Sequence, residues 1–257
     1  MTPLTHRDFG GTGEIPLVIL HGLLGSSRNW QAVASDLAAT RRVLAVDLRN
    51  HGVSPHDEHH DYAGMEADLL AWMDARALSR AVLIGHSMGG KLAMAFACHR
   101  PHRVERLVVV DIAPREYDGD RIGGMLDAMA GMDLAKVGSR VEAEAKLQEA
   151  VPDWGLMKFL ATNLARDAAG RYFWRANISV LRSELGKLAG NPLQPGDRFN
   201  GPALFVAGAK SDHVREEDHA AIRTHFPQAQ IEVLSGAGHN PHIEARAAFV
   251  EALRRFL

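Results

Sequence analysis

Residue types that together can cleave an acyl bond stand just beyond apolar runs in this chain: Ser87, His239 and a carboxylate, Asp111 or Asp212. Ser87 lies in Gly85-His86-Ser87-Met88-Gly89-Gly90, a Gly-x-Ser-x-Gly pattern. Its flanks predict a nucleophile elbow. Ala81-Val82-Leu83-Ile84 reads as a buried strand, and Lys91 to Cys98 as a helix that ends near Pro101. A sharp strand-to-helix turn pushes the serine hydroxyl into the open, and Gly85 and Gly89 leave room for it. Serine at its free pKa is a poor nucleophile and needs a base within reach. His239, in the loop Ser235-Gly236-Ala237-Gly238-His239-Asn240-Pro241 after the last strand run, can swing its imidazole over Ser87. The chain has 14 histidines, so position rather than residue type singles this one out.

The imidazole in turn needs a carboxylate to hold its tautomer and to stabilise the imidazolium that forms. Two acids satisfy the order serine, acid, histidine. After Phe205-Val206-Ala207, where Gly-x-x-Asp is expected, the chain reads Gly208-Ala209-Lys210-Ser211, and Asp212 falls one residue late. Asp111, at the end of the run Leu107–Val110, is the favoured acid, with Ser211 as its hydrogen-bond partner and Asp212 as the competitor. The backbone N–H groups of Leu23 and Met88 are predicted to form the oxyanion hole, each worth ~3 kcal/mol of transition-state stabilisation. Trp174, Met157 and Phe159 are the apolar residues expected to line an acyl pocket.

The bland readings apply elsewhere. His56, His59 and His60 look like a metal cluster but lie in a polar loop, so no metal site is expected. Asp47, Arg49 and His51 read as a hydrogen-bonded network bracing loops beside the site, and Lys91 as structurally paired. Lys91, Arg175 or Arg182 would have to hold a substrate carboxylate if the same three residues cleaved carbon–carbon bonds, and that is the rival chemistry. A non-catalytic ligand-binding protein is the other alternative, which an intact Ser87, His239 and two spare acids argue against.

The residues that do chemistry must be positioned by a frame. Leu17–Leu20, Val43–Val46, Ala81–Ile84, Leu107–Val110, Ala203–Ala207 and Ile231–Leu234 are short apolar runs, the pattern of strands buried on both faces. Helical spacing separates them at Ser27–Ala39, Met65–Leu78 and Glu216–Phe226, and a closing helix starts at Pro241. Alternating strands and helices predict a mostly parallel sheet, whose ligand sites lie at the carboxyl ends of the strands. From Arg115 to about Gly196 the alternation stops, leaving helix-like segments near Arg121–Met132, Ser139–Ala150, Asp153–Ala165 and Arg175–Leu188. The expected organisation is an α/β core over 1–114 and 196–257 with a helical cap over 115–195.

Composition narrows the class. The chain has 257 residues, 46% hydrophobic and 23% charged, as in an ordinary globular protein. A net charge of −2 and the lack of a basic run argue against nucleic acid as a partner. One cysteine, Cys98, excludes an intramolecular disulfide. With no apolar leader and no membrane-length run, a cytoplasmic location is the expectation. Nothing in the sequence decides between monomer and homodimer.

His21-Gly22-Leu23-Leu24-Gly25-Ser26-Ser27-Arg28-Asn29-Trp30, Asp47-Leu48-Arg49-Asn50-His51-Gly52-Val53-Ser54-Pro55, the elbow with Lys91, and Asp111-Ile112-Ala113-Pro114 carry a resemblance over essentially the whole chain. The chain resembles the α/β-hydrolase superfamily, and more narrowly the small capped bacterial esterases related to a mitochondrial abhydrolase-domain protein. The resemblance implies Ser87 and His239 as catalytic residues. It supports Asp111, because Ser211 stands where most relatives carry their acid. It also implies an acyl ester or thioester as the small-molecule substrate. The chain departs from that group at Asn240-Pro241, where bulky apolar residues are usual. Taken together, the residues and the resemblance predict a cofactor-independent carboxylic ester hydrolase working through an acyl-enzyme.

Overall fold

The structure, a computed structural model, describes residues 2–257. Five strands come first: β1 (Thr5–Asp8), β2 (Leu17–Leu20), β3 (Val43–Asp47), β4 (Ala81–His86) and β5 (Val104–Val110). A long insertion follows and carries a two-stranded hairpin, β6 (Leu164–Arg166) and β7 (Tyr172–Trp174). The last strands are β8 (Ala203–Gly208) and β9 (Ala229–Leu234). Seven strands form one sheet in the order β1-β3-β2-β4-β5-β8-β9, parallel except for β1, which runs antiparallel to β3 at the edge.

Every residue of β2, β3, β4 and β8 is buried, which explains why these strands read as unbroken apolar runs. Successive side chains still alternate between faces. Leu17, Ile19, Val43, Ala45, Val82 and Ile84 pack with α1 (Gln31–Ala38) on one side. Val18, Leu20, Leu44, Val46 and Leu83 pack on the other with α2 (Tyr62–Asp74) and α3 (Met88–His99). Among the described residues no helix is long and apolar enough to cross a membrane.

Element ends differ from the sequence expectation where local chemistry intervenes. The helix expected at Ser27 opens as a 3-10 turn over Ser27–Trp30 before α1. Asp61 caps α2 by accepting from the Gly64 N–H, so the helix starts three residues early at Tyr62. It stops at Asp74, shortly before Ala77 turns left-handed at φ 53°.

The insertion departs most from expectation. It holds α4 (Asp120–Ala130), α5 (Arg140–Ala150), α6 (Trp154–Ala161), the hairpin, α7 (Ile178–Ser183) and α8 (Leu185–Ala189). It is therefore not wholly helical. The helix expected to reach Ala165 ends at Ala161, and Leu164 pairs instead with Trp174. Strands of three residues are too short for an alternation pattern to reveal. After β8 come α9 (Asp218–His225), α10 (Pro241–Glu244) and α11 (Arg246–Phe256), so the single closing helix expected from Pro241 is broken at Ala245.

Candidate active site

Ser87 sits between β4 and α3 with φ 51° and ψ −117°, a backbone state that a residue with a side chain rarely adopts. The glycines around it are there because backbone comes too close for anything larger. A Cβ on Gly85 would lie 2.2 Å from the Gly89 carbonyl oxygen, and one on Gly89 would lie 2.4 Å from that of Leu20. The Ser87 N–H donates to the Val110 carbonyl at 3.0 Å, tying the turn to β5. Met88 is the first residue of α3, where the backbone N–H has no intrahelical acceptor. Leu23, Ser87 and Met88 line one cavity, so the structure brings together the expected nucleophile and both expected oxyanion donors.

Asp111, one residue past β5, is also held left-handed, at φ 51°, and its side chain is fully buried. Three donors meet its carboxylate. The Gly208 N–H reaches Oδ1 at 2.9 Å, while the Ser211 hydroxyl at 2.5 Å and the His239 ring at 2.8 Å both reach Oδ2. A carboxylate only accepts, so the His239 contact fixes the proton on Nδ1 and leaves Nε2 as the free base. The carbonyl of His239 accepts from His86 Nε2 at 2.8 Å, which anchors the loop that carries the imidazole. Asp212 is not part of this cluster. Its side chain is 82% exposed and its neighbours are His213 and Arg215.

The cavity at Ser87 measures about 70 Å³. Tyr62, Lys91, Ile112, Tyr117 and Leu188 supply much of its wall. Trp174, Met157 and Phe159, expected to line the acyl pocket, are absent from that wall, which corrects the expectation. Met157 is buried in the apolar core, Phe159 packs against it half-buried, and Trp174 Nε1 donates to the Met129 carbonyl at 2.9 Å. Apolar composition predicts that such side chains are buried, not which void they face. A wider depression of about 660 Å³ adjoins the cavity and shares Tyr117, Asp118, Gly119, Leu185 and Ala189 with it.

Of the three cations that carbon–carbon cleavage would call on, none is free in the wall. Lys91 is buried, and its ammonium donates to the carbonyls of Ala189 and Gly190, each at 2.7 Å, and of Leu188 at 3.4 Å. Arg182 forms a two-pronged pair with Asp127, and Arg175 lies outside the cavity. Burial, followed by the charge of Arg115, pushes the Lys91 ammonium down to about 7. Lys91 thus links the elbow helix to the end of α8. Lys91→Met would take the ammonium from the Gly190 carbonyl, while the carbonyls of Leu188 and Ala189 keep the Tyr62 hydroxyl and the Tyr117 N–H, and is expected to cost about 1–3 kcal/mol. Amide exchange over residues 185–190 should speed up correspondingly, and unchanged protection there would refute the link.

Asp47, Arg49 and His51 brace the loops under the site, as expected. Asp47 accepts from the N–H groups of Ser27 and Val53, and His51 accepts from that of Leu24, while Arg49 pairs with buried Asp68 at 2.6 Å. His56, His59 and His60 do not converge. His56 bonds the Arg175 carbonyl, His59 is exposed, and His60 is buried against Asn50 and Met88.

One residue of the site escaped the sequence reading. His213 lies flat on His239, with centroids 3.8 Å apart and planes 21° apart, and it lines the cavity. Its position two residues beyond Ser211 was the available signal. Asp111, His213 and His239 each place a ligand atom within 4.8 Å of the others. Imidazole lone pairs lie in the ring plane, so two stacked rings aim theirs side by side rather than at a single ion.

Strand order, elbow and site together define a class. The chain belongs to the alpha/beta hydrolase fold family, whose pattern it matches over residues 15–246. It is 40% identical to the sn-1-specific diacylglycerol lipase ABHD11 of Mus musculus, covering 99% of this chain and 85% of that one. To the esterase YbfF of Escherichia coli K12 it is 35% identical, over 94% and 92% of the two chains. Among solved structures, a marine microorganism esterase superposes with a TM-score of 0.97 at 33% identity, with full coverage of both chains.

Proposed function

We propose that this ester hydrolase of the α/β-hydrolase fold works through an acyl-enzyme on Ser87. In this reading His239 Nε2 takes the proton as Ser87 Oγ attacks the ester carbonyl, and Asp111 stabilises the imidazolium that forms. The N–H groups of Leu23 and Met88 hold the developing oxyanion. The imidazolium returns its proton to the leaving alcohol or thiol. Water, deprotonated by His239, then releases the acid and regenerates Ser87. The observations that carry the reading are the His239 ring bonded at Nδ1 to buried Asp111 and a serine in a strained turn that opens on a cavity, whose wall includes His213, the residue stacked on His239.

The cavity has about half the ~150 Å³ that holds a benzene ring in a protein core, which favours short acyl groups, acetyl to butyryl. The adjoining depression has room for the leaving group. Residues 115–195 form a cap over a core of 1–114 and 196–257, and the relatives named lipase and esterase support ester substrates. The decisive experiment is hydrolysis of a chain-length series of p-nitrophenyl esters and acyl-CoA thioesters by the wild type and Ser87→Ala. Turnover should be greatest for short acyl groups and vanish in the variant. Equal rates with and without Ser87 would reject the mechanism, and an optimum at long chains would reject the pocket assignment.

A further inference from the structure

His213 has no part in the mechanism above, yet its ring is stacked on that of the base. The ring covers one face of the His239 imidazole at 3.8 Å. Its Nδ1 lies 3.2 Å from Ser211 Oγ. The one hydroxyl proton of Ser211 is committed to Asp111 Oδ2, because that carboxylate can only accept. The Ser211–His213 contact is a hydrogen bond only if His213 carries its proton on Nδ1 and donates it. The result is a continuous chain from His213 Nδ1–H through Ser211 Oγ–H to Asp111 Oδ2, the oxygen that also accepts from His239.

The ring is held in that place from several sides. The Tyr117 hydroxyl donates to the His213 carbonyl at 2.5 Å and accepts from the Ala113 N–H at 2.8 Å, tying His213 to the segment just after Asp111. The Tyr117 ring stacks on His213 at 5.6 Å, and the His213 N–H bonds Ser211 Oγ at 3.2 Å. Burial, with the adjacent charge of His239, pushes the His213 imidazole down to about 4, against the opposite pull of Asp111 and Asp212. Near neutral pH it is an uncharged aromatic wall.

We propose that His213 is a positioning residue for the hydrolysis, holding the His239 ring in its productive plane by stacking and steadying Asp111 through Ser211. The proposal rests on the Ser87–His239–Asp111 reading. Two rotations would otherwise be open to the imidazole, which is about one-third exposed and projects from a loop. The Nδ1–Asp111 bond restrains the ring about one axis, and the flat neighbour restrains tilt about that bond. When His239 becomes cationic, the face of a neutral ring is also a favourable neighbour for the charge. Tilt of the ring by a fraction of an ångström at Nε2 matters because proton transfer from Ser87 depends on its aim.

The test compares His213→Ala with His213→Phe on a short p-nitrophenyl ester. Removing the ring is expected to lower kcat on the order of 10- to 100-fold while KM stays within about threefold, the signature of a lost transition-state effect. Phenylalanine restores the flat wall without the donor, and kcat should return to within about tenfold of wild type. In proton NMR, the downfield His239 Nδ1–H signal should persist in the wild type and the Phe variant and broaden in the Ala variant. The role is overturned if His213→Ala keeps wild-type kcat, or if the Phe variant falls as far as Ala. Ser87→Ala separates the two levels. Hydrolysis that survives it overturns the underlying mechanism, whereas hydrolysis that needs Ser87 but ignores His213 overturns only the positioning role.

Discussion

Asp111→Asn is expected to lower kcat by about 10⁴-fold, the scale set by the corresponding change in a serine protease, while Asp212→Asn should stay within about twofold because an exposed loop acid has little to lose. The difference follows from hydrogen-bond inventory. Asp111 receives the Gly208 N–H, the Ser211 hydroxyl and the His239 ring, three donors on one buried carboxylate. An amide has only one acceptor oxygen, so at least one donor would face an NH₂ group. If that donor is His239 Nδ1–H, the ring relieves the conflict by moving its proton to Nε2, and the base of the proposed mechanism is lost. Asp212 has an exposed side chain within salt-bridge range of His213 and Arg215, so its amide would change little. Steady-state kinetics on both variants, with circular dichroism to confirm folding, decides between them. A crippled Asp212→Asn beside an active Asp111→Asn would reverse the assignment.

The second large effect is on stability. The buried histidines include His21, His51, His60, His86 and His242. Burial lowers the pKa of each from the usual 6.5, to about 3 for His60 and His242, and well below the usual value for His51 and His86. His21 and His51 each accept a backbone N–H at Nε2, from Leu48 and Leu24 respectively, and a proton on that nitrogen would turn acceptor into donor. Between their folded values and 6.5 the unfolded chain binds more protons than the folded one, so stability is fully present above about pH 7 and is lost as pH falls. Each such histidine contributes a slope of up to about 1.4 kcal/mol per pH unit. Together they can remove several kcal/mol by pH 5, a large part of the stability of a typical domain. His99 works the other way. Although burial opposes it, contacts with Glu66 and Asp197 raise its pKa, which offsets a small part of the slope. Thermal midpoints measured from pH 8 to pH 4 should hold level to about pH 6.5 and then drop steeply. A level profile down to pH 5 would contradict this account.

Much of the frame was legible because burial on both faces leaves a plain mark. Four-residue apolar runs such as Leu17–Leu20 can satisfy their surroundings only as central strands, and the glycines around Ser87 reflect close backbone approach. The ends of helices were less legible. Asp61 extended α2 through a cap, and Ala245 broke the last helix. The hairpin Leu164–Trp174 was missed because three residues per strand carry no readable period.

By itself the sequence determined the sheet, the elbow and the set of residues near the strand ends, since local periodicity and backbone sterics act within a few residues along the chain. The tertiary structure alone decided which side chains meet. It turned the Asp111 carboxylate onto His239 and left Asp212 in solvent, a choice governed by backbone direction at φ 51° rather than by spacing. It sent Met157 into the core and Phe159 against it, and gave the cavity wall to Tyr62, Tyr117 and Leu188. It also laid His213 on His239, a contact between loops 26 residues apart (239 minus 213) that arises because β8 and β9 end side by side.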